Sequence, residues 1–139
     1  MKKLDRILKL LENQINNDTY KLLETRKNIF EKNMYKENLL NQLHNTEIST
    51  IVESIADLKI KINYINFLQK KLEEIQNQLK DLYEEETKII DSIKEKNAYK
   101  KALEKYMYKK QLQMEVKAQF EESIKNSDIY NRNFSNYNS

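Results

Sequence analysis

Glycine, proline, cysteine and tryptophan are all absent from the 139 residues. Without glycine no position adopts φ > 0 cheaply, and without proline no position is locked into a kink. A compact fold with many tight turns is therefore disfavoured, whereas long uninterrupted helices need neither residue. The lack of cysteine excludes disulfides and thiolate metal sites. With His44 as the lone histidine, neither a structural zinc site nor a Cys-His nucleophile can be assembled. A phosphate-binding loop needs glycine, so nucleotide hydrolysis by this chain is not expected. No apolar run approaches the roughly 20 residues of a membrane span. The start Met1-Lys2-Lys3-Leu4-Asp5 has no continuous apolar stretch behind it and does not read as a signal peptide.

Charge and periodicity fill the chain instead. Charged residues make up 34% and hydrophobic ones 39%, with a mean hydropathy of −0.90. That is too polar for a thick core but matches helices that each bury one stripe. The net charge of +3 from 25 basic and 22 acidic residues creates no large field of one sign.

Alternating steps of four and three from Leu4 pass through Leu8, Leu11, Ile15, Asp18, Leu22, Thr25, Ile29, Lys32, Lys36, Leu39 and Leu43. This is a coiled-coil seam. Phe30 and Met34 are candidates to replace the two lysines on it. A second seam runs Ile48, Ile51, Ile55, Leu58, Ile62, Ile65, Leu68, Leu72, Ile75, Leu79, Leu82, Glu86, Ile89 and Ile93. Its two successive threes, Ile62 to Ile65 to Leu68, predict a local perturbation of supercoiling. Farther on, Tyr99, Leu103, Tyr106, Phe120 and Ile124 share a face interrupted by Lys110, Gln113 and Lys117.

The expected fold is all-α, an elongated antiparallel two-helix coiled-coil hairpin with a longer second helix. One domain spans residues 1–126, with a helix over 2–43, a turn over 44–49 and a helix over 50–126. Asn45 is the candidate left-handed residue in the turn, and Thr50-Ile51-Val52-Glu53 is a candidate capping box. Residues 127–139, rich in Asn and Ser, read as a disordered tail. At 1.5 Å per residue the helices are roughly 60 and 115 Å long. Leu43 then faces about Thr50, Leu4 faces about Ile89, and residues after about Ser92 overhang without an intrachain partner. A lone helix is marginal in water, so the overhang calls for a partner. A break near Asn97 with a third helix folding back is the alternative arrangement.

The carboxylates Glu73, Glu74, Asp81, Glu84, Glu85, Glu86 and Asp91 read as a solvated face, with Glu84 and Lys88 in the favourable i,i+4 order. Acid–base catalysis needs a pocket that raises one pKa, which two helices do not supply. The basic stretch Lys94, Lys96, Lys100, Lys101, Lys105, Lys109, Lys110 and Lys117 is interleaved with Tyr99, Tyr106 and Tyr108. Such a pattern can track a nucleic-acid backbone, but the lysines go around the helix, and docking on an acidic protein surface suits them better.

The segment Asn63-Tyr64-Ile65-Asn66-Phe67-Leu68, with Ile75 and Gln78, resembles the FliJ family of flagellar type III export proteins, whose Tyr-x-x-Phe-(Leu/Ile) element Tyr64, Phe67 and Leu68 match. Leu72 stands one residue later than the family's usual Leu. Lys94-Glu95-Lys96 with Lys101-Ala102-Leu103-Glu104-Lys105 is similar to its basic KxLExL region, and Asp128-Ile129-Tyr130-Asn131-Arg132 to its terminal Asp-rich signature. The injectisome YscO/InvI group shares this architecture. The resemblance implies a non-catalytic, monomeric stalk in the cytoplasm, peripheral to the inner-membrane export apparatus. It inserts into and stimulates the hexameric export ATPase and also meets the membrane export gate and export chaperones. No cofactor, nucleic acid or membrane insertion is implied. Lys100, Lys101, Lys105, Lys109, Lys110 and Tyr106 would face the ATPase ring, and Tyr64, Phe67, Leu68 and Ile75 the gate. On the residues alone Leu68 and Ile75 read as seam positions, and Phe67 is the better contact. The competing readings are a structural coiled coil that oligomerises through the overhang and a nucleic-acid-binding rod.

Overall fold

A computed structural model describes residues 2–49 and 52–138, with side chains described through Asn133. It contains two helices, α1 (Lys2–Ile48) and α2 (Ile55–Asn138), and no strand among the described residues. They form an antiparallel hairpin whose second helix is the longer, 84 residues against 47. The chain divides into two compact units, residues 14–95 and residues 1–13 with 96–139.

In the unit of residues 14–95 the antiparallel register is fixed by cross-helix contacts. Ser92 Oγ donates to Asp18 Oδ2 at 2.8 Å, Arg26 Nε reaches Glu86 Oε2 at 3.3 Å, and Asn33 Nδ2 donates to Tyr83 Oη at 3.2 Å. The apolar core is Ile29, Leu39, Leu68, Leu72, Ile75 and Leu79, with Leu43 and Leu82 packed against it. On α1, each seam position from Leu4 to Leu43 is buried or half-buried, Lys32 and Lys36 included. Phe30 and Met34, the candidate substitutes, are 65% and 49% exposed. The lysines hold their places because a long aliphatic stem covers apolar surface while the ammonium reaches water.

On α2 the seam is Lys61, Ile65, Leu68, Leu72, Ile75, Leu79, Leu82, Glu86, Ile89 and Ile93, an unbroken alternation of four and three. Ile55, Leu58 and Ile62 do not belong to it and lie exposed. The two successive threes in the sequence thus mark where pairing begins, with Lys61 in place of Ile62, and no perturbed supercoil is needed. Lys61 Nζ donates to the carbonyl of Ser49. The register differs from the expected one, in which Leu43 faces Thr50, because the first turns of α2 precede the start of the seam.

The bend also lies later than expected. The segment His44-Asn45-Thr46-Glu47 is helical. Thr46 Oγ1 donates back to the Gln42 carbonyl at 2.7 Å, satisfying its hydroxyl without leaving the helix. Ser49 N still bonds the Asn45 carbonyl at 3.2 Å. No described residue has positive φ, so Asn45 makes no left-handed turn. The cap of α2 is Ser54, whose Oγ accepts from Asp57 N at 3.1 Å. Asp57 in the first turn adds a favourable charge at the positive end of the helix dipole. The expected capping box begins at Thr50 and Ile51, which lie outside the described residues.

In the unit of residues 1–13 and 96–139, Lys100 Nζ lies 3.6 Å from Glu12 Oε1 and 3.9 Å from Glu104 Oε1. The half-buried positions of α2 are here Lys96, Asn97, Lys100, Leu103 and Met107. α2 therefore keeps a partner well beyond Ser92 and overhangs less than expected. It runs through Asn97 without a break and continues to Asn138, past the expected disordered tail. Nothing between Asn126 and Asn138 is a glycine or proline that would stop it.

Candidate partner-binding surfaces

Two surfaces, one in each unit, carry more exposed apolar side chains than a solvated helix requires. In the unit of residues 1–13 and 96–139, every side chain from Gln111 to Asn133 is exposed. Leu112, Val116, Phe120 and Ile124 follow one another at i,i+4 spacing and are 47%, 57%, 65% and 47% exposed. That spacing places them in one row, which drifts slowly around the helix. Tyr108, 67% exposed, extends the row by one turn toward the basic stretch. Beside Tyr108 an open groove is lined by Asp5, Leu8, Met107, Met114 and Ala118 among others. It forms where α1 begins and stops covering the seam.

The sequence-predicted ring-facing residues all lie in this unit. Lys101, Lys105, Tyr106, Lys109 and Lys110 are exposed. Lys100 is not free in the same way. It is half-buried and paired with Glu12 and Glu104, so part of its charge is spent holding α2 to α1. Tyr99 and Tyr106 do not continue the seam; they are 56% and 53% exposed, and Leu103 and Met107 take those places. The row from Leu112 to Ile124 was only partly visible in the sequence. Phe120 and Ile124 were grouped with the tyrosines, whereas a strict count of fours from Leu112 isolates them.

In the unit of residues 14–95, the bend is apolar. Ile48, Val52, Ile55, Leu58, Ile60, Ile62, Tyr64 and Phe67 are all between 39% and 79% exposed. The chain also forms a shallow concavity lined by Asn45, Thr46, Ser49, Val52, Asp57, Ile60, Lys61 and Tyr64. Of the residues expected to face an export gate, Tyr64 and Phe67 stand on this surface, 42% and 54% exposed. Lys71 Nζ sits 5.8 Å from the Phe67 ring centroid, a cation–π approach that holds the ring at the surface. Leu68 and Ile75, 1% and 5% exposed, are core. Their side chains are enclosed between α1 and α2, so they support the surface and do not form it.

Among the described residues no group of three or more His, Asp or Glu is arranged to hold a metal ion. No described helix is long and apolar enough to cross a membrane. The fold and these surfaces define a class, the antiparallel helical hairpin with an exposed terminal helix. Comparison with known proteins goes no further: the chain matches no family model, no curated protein and no solved structure.

Proposed function

We propose that this chain is a non-catalytic, stalk-like component of a type III protein export apparatus of the flagellar kind. It inserts into and stimulates a hexameric export ATPase, and it links that ring to the membrane export gate and to export chaperones. The observation that carries the proposal is the segment of α2 from Gln111 to Asn133, helical yet exposed on every side. Helices in proteins owe most of their stability to tertiary burial, and exposed apolar rows of this kind mark protein contacts. Lys101, Lys105, Lys109 and Lys110 lie immediately before it and suit an acidic lining. The likeness of Tyr64, Phe67 and the basic region to FliJ-type sequences supplies the setting, and Tyr64 and Phe67 at the bend are the residues offered to a gate. The location that goes with this role is the cytoplasmic face of the inner membrane.

The test is ATP turnover by the hexameric export ATPase of the same cell, with and without the purified chain. Stimulation is expected. It should be lost with Phe120→Lys and weakened by charge reversal at Lys101, Lys109 and Lys110, with circular dichroism unchanged. An ATPase that neither binds the chain nor changes its rate refutes the proposal. The exposed row from Leu112 to Ile124 also favours a second reading, a structural coiled coil that oligomerises through this segment. That reading requires a mass in light scattering that rises with concentration and falls to one chain on deletion of 94–139.

A further inference from the structure

The apolar core of the hairpin does not by itself select one alignment of its helices. From Ile65 to Leu82 the α2 seam is uninterrupted Ile and Leu, so sliding α2 by one heptad presents Leu39 and Ile29 with chemically equivalent neighbours. A seam of this kind is degenerate in register, and polar residues within it are the usual means of removing the degeneracy. Four occur on α1, and two of them, Asp18 and Thr25, are buried one heptad apart, 9% and 4% exposed; Lys32 and Lys36 are half-buried. Ser92 Oγ donates to Asp18 Oδ2 at 2.8 Å across the helices. Among the described residues no buried side-chain nitrogen or oxygen lacks a hydrogen-bond partner. The observed alignment therefore gives Asp18 a donor from the opposite helix.

Neighbouring alignments do not. Moving α2 by seven residues in either direction replaces Ser92 with Glu85 or Tyr99. Glu85 sets a second carboxylate against Asp18, and like charges at a buried site repel. Tyr99 has a hydroxyl, but its ring carries that group well beyond the reach of a serine. The same shift puts Leu79 or Ile93 where Glu86 receives Arg26, so that pair is lost as well. A buried polar group left without its partner costs about 1–3 kcal/mol, enough to decide between alignments that the Ile and Leu residues leave almost equal.

We propose that Asp18 and Ser92 form a register lock, a hydrogen bond in the seam that selects one heptad alignment of α1 on α2. The inference is independent of any export role. It makes Asp18 and Ser92 determinants of alignment more than of stability, because replacing a buried polar pair by well-packed apolar residues is often neutral or stabilising.

The absence of native cysteine allows spin labels at Lys27→Cys and Asn66→Cys, both exposed, without background labelling. Pulsed dipolar spectroscopy then reads the distance between the helices at axially offset sites. The unaltered seam should give one distance. The double variant Asp18→Leu/Ser92→Leu should keep its helicity and add a second population displaced by about 10 Å, the rise of one heptad. Ser92→Thr, which keeps the hydroxyl, should restore the single distance. Should the double variant fail to fold, Ser92→Ala serves in its place and must show the second population. A single, unshifted distance in the folded variant that lacks the hydroxyl overturns the lock, as does a second population in Ser92→Thr.

Discussion

Replacing Leu68 by alanine tests the placement of the seam more directly than any other single change. Among the described residues Leu68 is the one large side chain that is almost completely enclosed, 1% exposed. Truncation removes three carbons, worth about 0.8 kcal/mol per buried methylene, or roughly 2.4 kcal/mol. Whatever cavity survives adds to this, and Leu→Ala changes in cores fall at about 2–5 kcal/mol. Two helices collapse around a void more readily than a multilayer core does, so a loss of about 2–3 kcal/mol is expected. With a urea m-value of about 1–3 kcal/mol/M, the midpoint should fall by about 0.7–3 M. Leu23→Ala is the control: same residue type, same helical state, but 61% exposed. It should change stability by less than about 1 kcal/mol, because most of its side chain is already in water and alanine is the better helix former. Ellipticity at 222 nm during urea titration of the full chain measures both. Equal midpoints for the two variants would refute the seam on α2. A loss of partner binding by Leu68→Ala with no loss of stability would return Leu68 to the surface.

Ser54→Ala removes the acceptor for Asp57 N and should cost about 1 kcal/mol, read by the same titration. Thr50→Ala gives the comparison for the capping box that the sequence suggested. A double-mutant cycle on Arg26 and Glu86, whose side chains are 52% and 24% exposed, should return a coupling below about 1 kcal/mol that fades in 1 M salt; a larger, salt-resistant coupling would mean a drier contact than the structure has. Phe120→Lys should leave the unfolding free energy from urea titration within about 0.5 kcal/mol of the original, while abolishing whatever contact the segment from Gln111 to Asn133 makes.

The α1 seam was legible to the last position because an unbroken count of fours and threes runs from Leu4 to Leu43. Even Lys32 and Lys36 were placed correctly by the count, against the pull of Phe30 and Met34. On α2 the same counting failed at Ile55, Leu58 and Ile62. These residues are apolar at helical spacing, and periodicity cannot say whether a partner helix is opposite. What settles it is where the chain reverses, and that was misjudged because the polar residues from His44 to Glu47 resemble an interruption although they continue α1. Ser54-Ile55-Ala56-Asp57 carried the true start signal, a serine followed by an acid three residues on. The row of Leu112, Val116, Phe120 and Ile124 was harder to see, since Lys117 and Gln113 sit beside it in the sequence although they lie to one side of it in space. No motif distinguishes a core leucine from a contact leucine, which is why Leu68 and Ile75 entered a candidate surface alongside Tyr64 and Phe67.

A last consequence concerns α2 as one continuous helix held in two different ways. Around Leu68, Leu72 and Leu79 the backbone amides can exchange only when the two helices part, whereas beyond Gln111 each turn opens on its own. Deuterium uptake along this single element should therefore climb by orders of magnitude toward its C-terminal end with no change in secondary structure. A bound partner would announce itself by erasing that gradient.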